Sequence, residues 1–412
     1  MKKFKKFLYK ILCNKYFKDF QPLLLVVIMF LVMISIKRDF KWSDLTKIEI
    51  GLSVIIPAFV GALLVAIVQI LSRSLEDIQK IEFDYHKLYK IYKDEKCLNL
   101  FLNNQKFIIP YVSIYENINK KTIEIKHFKD KEYSLPIFFQ IHYKELMSFH
   151  KYSYIENNNL IRLDKIEETN NALCLETSVT TYYNSLLTNR TMDGPLGKHL
   201  TVRKVFEYGS KLTPLEKSKL SNHIGFSVLI ITSDGYLILS KRTNKTSISK
   251  NKLASSTTAS LKFKYAIDED GNFTSNGLIK GVKKEIYKET GIDLDDFNVN
   301  FSIEENLIGL ARDLTEGGKP NFFFVLELPL IKKEILKFIN ISNITNTSEK
   351  INKYYEVEKL IFLKEELFKP YGLCYLKVTN NKFKLFSKKY ELTNELMTSM
   401  YYYLNIYKVR NK

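Results

Sequence analysis

Apolar and polar positions alternate in three different ways along this chain. Near its start, residues 20–36 read FQPLLLVVIMFLVMISI and residues 50–72 read IGLSVIIPAFVGALLVAIVQILS, both without a charge. Apolar runs of about 17–25 residues are long enough to cross a bilayer as helices. Two in tandem with charged flanks predict a transmembrane hairpin over residues 1–75, in preference to two buried core helices. Lys2, Lys3, Lys5, Lys6, Lys10, Lys15 and Lys18 precede the first run. The connecting loop carries Lys37, Arg38, Lys41 and Lys47 but also Asp39, Asp44 and Glu49. That excess predicts a multi-pass protein of the inner or plasma membrane, with the N-terminus and the bulk of the chain cytoplasmic. Ala58, Ala62 and Ala66 recur every four residues. They form a small-residue face for pairing within the hairpin or for homo-oligomers.

The second pattern is helical and charged. Leu75, Ile78, Ile81, Tyr85, Leu88 and Ile91 fall at steps of three and four, which predicts a helical stalk. Short apolar runs follow, KFIIPYVSIYE, KTIEIKHF and LPIFFQIHY. They read as strands or short helices, so residues 76–205 are expected to be a stalk and mixed linker region.

The third pattern begins near residue 206. Residues 226–232 and 236–239 are apolar runs around Ser233-Asp234-Gly235, the signature of a hairpin. Residues 278–290 then read as a helix. Ile279, Val282 and Ile286 form its apolar stripe and Gly291 its stop. PNFFFVLELPL is a strand, KLIFLKEELF a strand leading into a helix, and ELTNELMTSMYYYLNIYKV a closing amphipathic helix.

Composition narrows the chemistry. A chain of 412 residues holds two or three folding units. Its net charge of +18 favours anionic partners: nucleotides, nucleic acid or acidic lipid headgroups. The lysines are dispersed and no RNA-binding or zinc-finger signature accompanies them, which argues against sequence-specific nucleic-acid recognition. Cys13, Cys97, Cys174 and Cys374 form no CxxC pair, so neither a disulfide framework nor a zinc site is expected. His127, His142, His150, His199 and His223 lack metal-ligand spacing.

The chemistry concentrates in residues 283–292, KKEIYKETGI. Glu285 and Glu289 stand four apart, about 40° around a helix, where two carboxylates can converge on a hard divalent cation. The plain alternative is a solvated face of Lys–Glu pairs, each worth a few tenths of a kcal/mol. Taken with the element order around it, this stretch resembles the Nudix hydrolase family, over residues 206–412. Glu285, Ile286, Glu289, Gly291 and Ile292 match the second half of the Nudix box. Lys284 stands for its arginine and Lys288 for the first glutamate of its Glu-Glu pair. Upstream, Asn276 and Asp270 replace its glutamate and leading glycine.

The resemblance implies a C-terminal Nudix-like α/β/α sandwich, which with the two N-terminal transmembrane helices and the mixed middle region read above makes the expected chain α+β. It also implies Mg2+ or Mn2+ held by Glu285 and Glu289 as the catalytic carboxylates, and water attack on the pyrophosphate bond of a nucleoside diphosphate derivative. Lys284 would orient the carboxylates and Gly291 would end the helix. Arg242, Lys241, Lys288 and Arg312 would meet substrate phosphates. Lys288 removes one family ligand, for which Asp268, Glu269, Asp270, Glu304, Glu305 or Glu316 could compensate. Two functions are therefore expected of the sequence. One is a membrane-anchored Nudix-type pyrophosphatase, with membrane lipids as neighbours. The other is a catalytically weakened nucleotide sensor coupled to a membrane effector, an arrangement that resembles bacterial effectors of nucleotide-signal defence systems.

Overall fold

The structure is a computed structural model that describes residues 60–65, 67, 81–82, 84–102, 105–150, 156–197, 200–243, 249, 251–345, 357–365, 376–379, 382–385 and 390–411. The chain divides into two units, Met1–Asp77 and Ile78–Lys412. In the first, residues 60–65 and 67 are helical.

The membrane part of the expected fold class, and the membrane location with it, is corrected here. Among the described residues, no helix is long and apolar enough to cross a membrane. Residues 20–36 lie outside the described residues, and so do residues 50–72 apart from 60–65 and 67. The long helix Ser275–Thr290 has only 16 residues and one apolar face, with several lysines on the others. Such a helix packs on a sheet rather than meeting lipid all round.

The second unit is a mixed α/β body built on a large sheet. Its strands include β1 (Cys97–Leu102), β2 (Gln105–Glu116), β3 (Thr122–Glu132), β4 (Asn159–Glu168), β5 (Ala172–Thr181), β6 (Gly225–Thr232), β7 (Tyr236–Arg242), β8 (Leu253–Ala254), β9 (Thr257–Ser260), β10 (Leu307–Asp313), β11 (Lys319–Leu328) and β12 (Val357–Lys364), and a small sheet of Leu376–Thr379, Lys382–Leu385 and Tyr390–Glu391 follows them. The main sheet runs β1-β2-β10-β11-β6-β7-β12, with β8 on β7 and β9 on β6. All eight residues of β6 are buried, as a strand flanked by neighbours on both edges and covered on both faces must be. It pairs parallel with β11 from Gly225–Asn321 to Thr232–Leu328 and antiparallel with β7 through Ile230–Ile238 and Ile231–Leu237. The β6–β7 hairpin closes through Gly235, whose φ of 76° suits a residue without Cβ.

Side chains alternate across this sheet with the two-residue period of a strand. Leu229, Ile231, Phe323 and Val325 meet Leu396, Met397 and Met400 of the closing helix Asn394–Tyr402 on one face. Phe226, Val228, Ile230, Phe322 and Phe324 share the other face with Leu278, Val282 and Ile286 of Ser275–Thr290. In chain order we call the helices α1 (Tyr85–Ile91), α2 (Ser275–Thr290) and α3 (Asn394–Tyr402).

The segment expected to be stalk and linker is part of this body. α1 spans only seven residues and buries Tyr85 and Leu88. Just beyond it, the Tyr92 hydroxyl donates to the Glu207 carbonyl at 3.1 Å. β2 pairs with β10 from Tyr111–Asp313 to Glu116–Gly309. The separate sheet β3-β5-β4 sends Ile123, Ile161, Leu163, Leu173 and Leu175 into the core beneath α2. The sheet therefore crosses the boundary expected at 205/206.

Candidate functional site

α2 begins at a Thr274 cap, whose hydroxyl accepts from the Gly277 N–H at 3.2 Å. It ends at Gly291, φ 78°, whose N–H reaches the Tyr287 carbonyl at 2.8 Å. Two further glycines set how closely it packs. A Cβ on Gly277 would stand 1.8 Å from the Ala266 carbonyl oxygen, and one on Gly281 would stand 2.7 Å from Leu261 Cδ1. The backbone contact requires a residue without Cβ at Gly277, whereas at Gly281 a Cβ would meet the tip of a leucine side chain. That contact brings Lys262 and Tyr265 beside the last two turns of α2.

Glu285 and Glu289 are 3% and 4% exposed, so they are not a solvated charged face. A carboxylate buried this far needs counter-charge or hydrogen bonds. Glu285 has both on one atom: its Oε1 lies 3.2 Å from Lys262 Nζ and 3.3 Å from Lys288 Nζ. Lys288 also donates to the Tyr265 hydroxyl at 2.7 Å and stands 4.0 Å from the centre of that ring. Burial alone would raise the Tyr265 hydroxyl pKa. The hydrogen bond and charge of Lys288, with Lys264, carry it below its ordinary value instead. Glu289 Oε2 accepts the Thr258 N–H of β9 at 3.0 Å.

The other sequence candidates are dispersed. Lys284 Nζ stands 5.5 Å from the centre of the Tyr287 ring. Lys241 and Arg242 close β7, in register with Lys359 and Val357 of β12. Arg312 is buried; its Nε donates to the Gly318 carbonyl at 2.7 Å and its Nη1 to that of Thr213 at 2.8 Å. It thus braces the turn at Gly317-Gly318, where both φ angles are positive. Asp268 accepts the Asn272 N–H at 2.7 Å within an exposed turn. Glu305 pairs with Lys120 at 2.8 Å.

Glu316 belongs to a second acidic group that sequence reasoning did not assemble. Asp313, Glu316 and Glu395 are buried, with one carboxylate oxygen from each lying within 4.8 Å of the others. Asp313 closes β10 and Glu395 lies in the first turn of α3, 82 residues away. No motif spacing links them. Arg190 Nε and Lys319 Nζ each stand 3.6 Å from Glu316 Oε2. Asp313 Oδ1 accepts from the Thr315 N–H and hydroxyl at 2.7 and 2.6 Å. Burial, reinforced by Glu316 and Glu395, raises Asp313 to about 7. Burial lowers Lys319.

Neither group fits a divalent cation well. Magnesium prefers six oxygens in an octahedron, several of them water, with one or two carboxylates supplied by protein. At α2 the nearest oxygen of Glu285 already meets two ammonium groups, and Lys288 occupies the position where the Nudix pattern places a third carboxylate. At the second group two cations face three carboxylates. With all five ionised, one negative charge remains, and both cations already lie on Glu316 Oε2.

No family model matches the chain, and no curated protein matches it. Among solved structures it is similar to the crystal structure of DR0079 from Deinococcus radiodurans, at 14% identity over 34% of this chain and 67% of that one, with a TM-score of 0.20. A likeness at that score carries no argument about fold or function.

Proposed function

We propose that the α2 face binds a nucleoside diphosphate derivative and holds it without metal-dependent hydrolysis. The observation that carries this reading is the pair of ammonium groups, Lys262 and Lys288, on a single oxygen of Glu285. Hydrolysis of the Nudix type depends on carboxylates that neutralise and orient a metal–diphosphate complex. Here the first carboxylate is already neutralised, and the second accepts a backbone N–H. Lysine heads recognise phosphate as point charges, and the basic balance of the chain favours an anionic ligand.

The test is calorimetric titration of the purified chain with a panel of dinucleotides and nucleotide sugars. Chromatography of the same mixtures, incubated with Mg2+ or Mn2+, follows turnover. Saturable binding with products at background is the expected result. Turnover that vanishes in Glu289→Gln would overturn the reading and make α2 a working hydrolase helix.

A further inference from the structure

Glu285 and the groups around it form a built arrangement. Two ammonium groups approach one oxygen at 3.2 and 3.3 Å. The second of them is held by the Tyr265 hydroxyl at 2.7 Å and lies over its ring at 4.0 Å. The bare faces of Gly277, over the Ala266 carbonyl, and of Gly281, over the Leu261 side chain, let the Lys262–Tyr265 segment lie close against α2. Exposure is graded in a useful direction. The Lys262 and Lys288 side chains are 22% and 20% exposed, whereas that of Glu285 is 4% exposed. An anion arriving from solvent meets ammonium before carboxylate.

We infer that Glu285 is an internal counter-ion seated where a phosphate of the ligand belongs, so that phosphate binds between Lys262 and Lys288 without a divalent metal. This rests on reading the α2 face as a diphosphate site. The diphosphate of such a ligand brings about two negative charges at neutral pH against the single charge of Glu285. It also presents several acceptor oxygens to two point-charge donors. It therefore competes successfully for both lysines, and Glu285 gives way. Removing the charge of Glu285 should then strengthen phosphate binding. A metal ligand would behave in the opposite way.

The measurement is calorimetric titration of the full chain with inorganic pyrophosphate, first in EDTA and then with Mg2+, on the wild type and on Glu285→Gln, Lys262→Met, Lys288→Met and Lys288→Arg. Circular dichroism checks that each variant is folded. Binding in EDTA is expected, tightened about tenfold by Glu285→Gln and weakened about tenfold by either methionine variant. Lys288→Arg should retain it. Binding that requires Mg2+, or that Glu285→Gln abolishes, overturns the inference in favour of a metal ligand. Affinity unmoved by Glu285→Gln overturns it in favour of a structural ion pair. If Glu285→Gln does not fold, the two methionine variants decide, since unchanged affinity in both also overturns the inference. Nucleotide titrations of the wild type separate the two claims. A nucleotide that binds only with Mg2+ spares the proposed function and removes this inference. Pyrophosphate binding in EDTA with no nucleotide bound does the reverse.

Discussion

Lys288 decides the character of α2, because its ammonium lies within 3.3 Å of Glu285 rather than reaching out to water. Placing a glutamate at this position tests this directly. Lys288→Glu places a third carboxylate beside the buried Glu285 and Glu289 and removes one of the two ammonium groups on Glu285. In EDTA the variant should lose roughly 1–3 kcal/mol of stability, read from its denaturant midpoint. Mg2+ should recover much of the loss, while the wild type is indifferent to the ion. A wild type that responds to Mg2+ as strongly as the variant would contradict the account. Asp313 supports a second prediction at this scale. Its pKa rises from 3.8 to about 7 on folding, first through burial and then through Glu316 and Glu395. The folded state therefore holds a proton that the unfolded state releases. The stability this contributes is complete below pH 3.8 and is lost as pH rises through about 7. Asp313→Asn keeps an acceptor for Thr315 and removes the titration. It should raise stability by roughly 1–3 kcal/mol at pH 8 and by much less at pH 5. Equal gains at both pH values would show that the proton is not held there.

Among the elements, those with a local signal were legible. The hairpin of β6 and β7 followed from two apolar runs around Asp234-Gly235. α2 followed from its apolar stripe and Gly291, although it starts three residues earlier than expected, at the Thr274 cap. What stayed hidden was pairing across distance. β2 at Gln105–Glu116 lies beside β10 at Leu307–Asp313, and nothing local in either run names the other. The site divides in the same way. Glu285 and Glu289 stood out by spacing, whereas Lys262 and Tyr265 come from the cap and body of a four-residue helix, Phe263–Ala266, too short to leave a periodic signal and placed against the bare faces of Gly277 and Gly281. Gly277→Ala tests that placement. Alanine favours helix by about 1 kcal/mol, but its Cβ would need the space of the Ala266 carbonyl oxygen, and overpacking against backbone costs roughly 1–3 kcal/mol. The net expectation is destabilisation on thermal melting together with weaker pyrophosphate binding, because Lys262 and Tyr265 would be pushed away from α2. A variant as stable as the wild type with unchanged affinity would mean that this packing does not position the lysines.

At the scale of the whole second unit, the sheet argues against treating residues 206–412 as a free-standing domain. Removing residues 1–205 would strip β2 from β10 and expose that edge in mid-sheet. Tyr111 would go with it; it is fully buried, and its hydroxyl accepts from Asn321 Nδ2 at 3.0 Å. Arg190, one of the two cations on Glu316, would be lost too, leaving three buried carboxylates facing Lys319 alone. Ile161, Leu163, Leu173 and Leu175, all buried against the core under α2, would also disappear. Each such side chain is worth about 1.5–3 kcal/mol when fully buried, and a whole domain has only about 5–15 kcal/mol to lose. The fragment 206–412 should therefore show no cooperative thermal transition and should bind a dye specific for exposed apolar surface. Residues 78–412, which keep every strand of the sheet, should melt cooperatively. Far-UV circular dichroism of both fragments over a temperature ramp makes the comparison. A cooperative melt of 206–412 matching that of 78–412 would restore the boundary at 205/206 and reduce β1–β5 to an appendage.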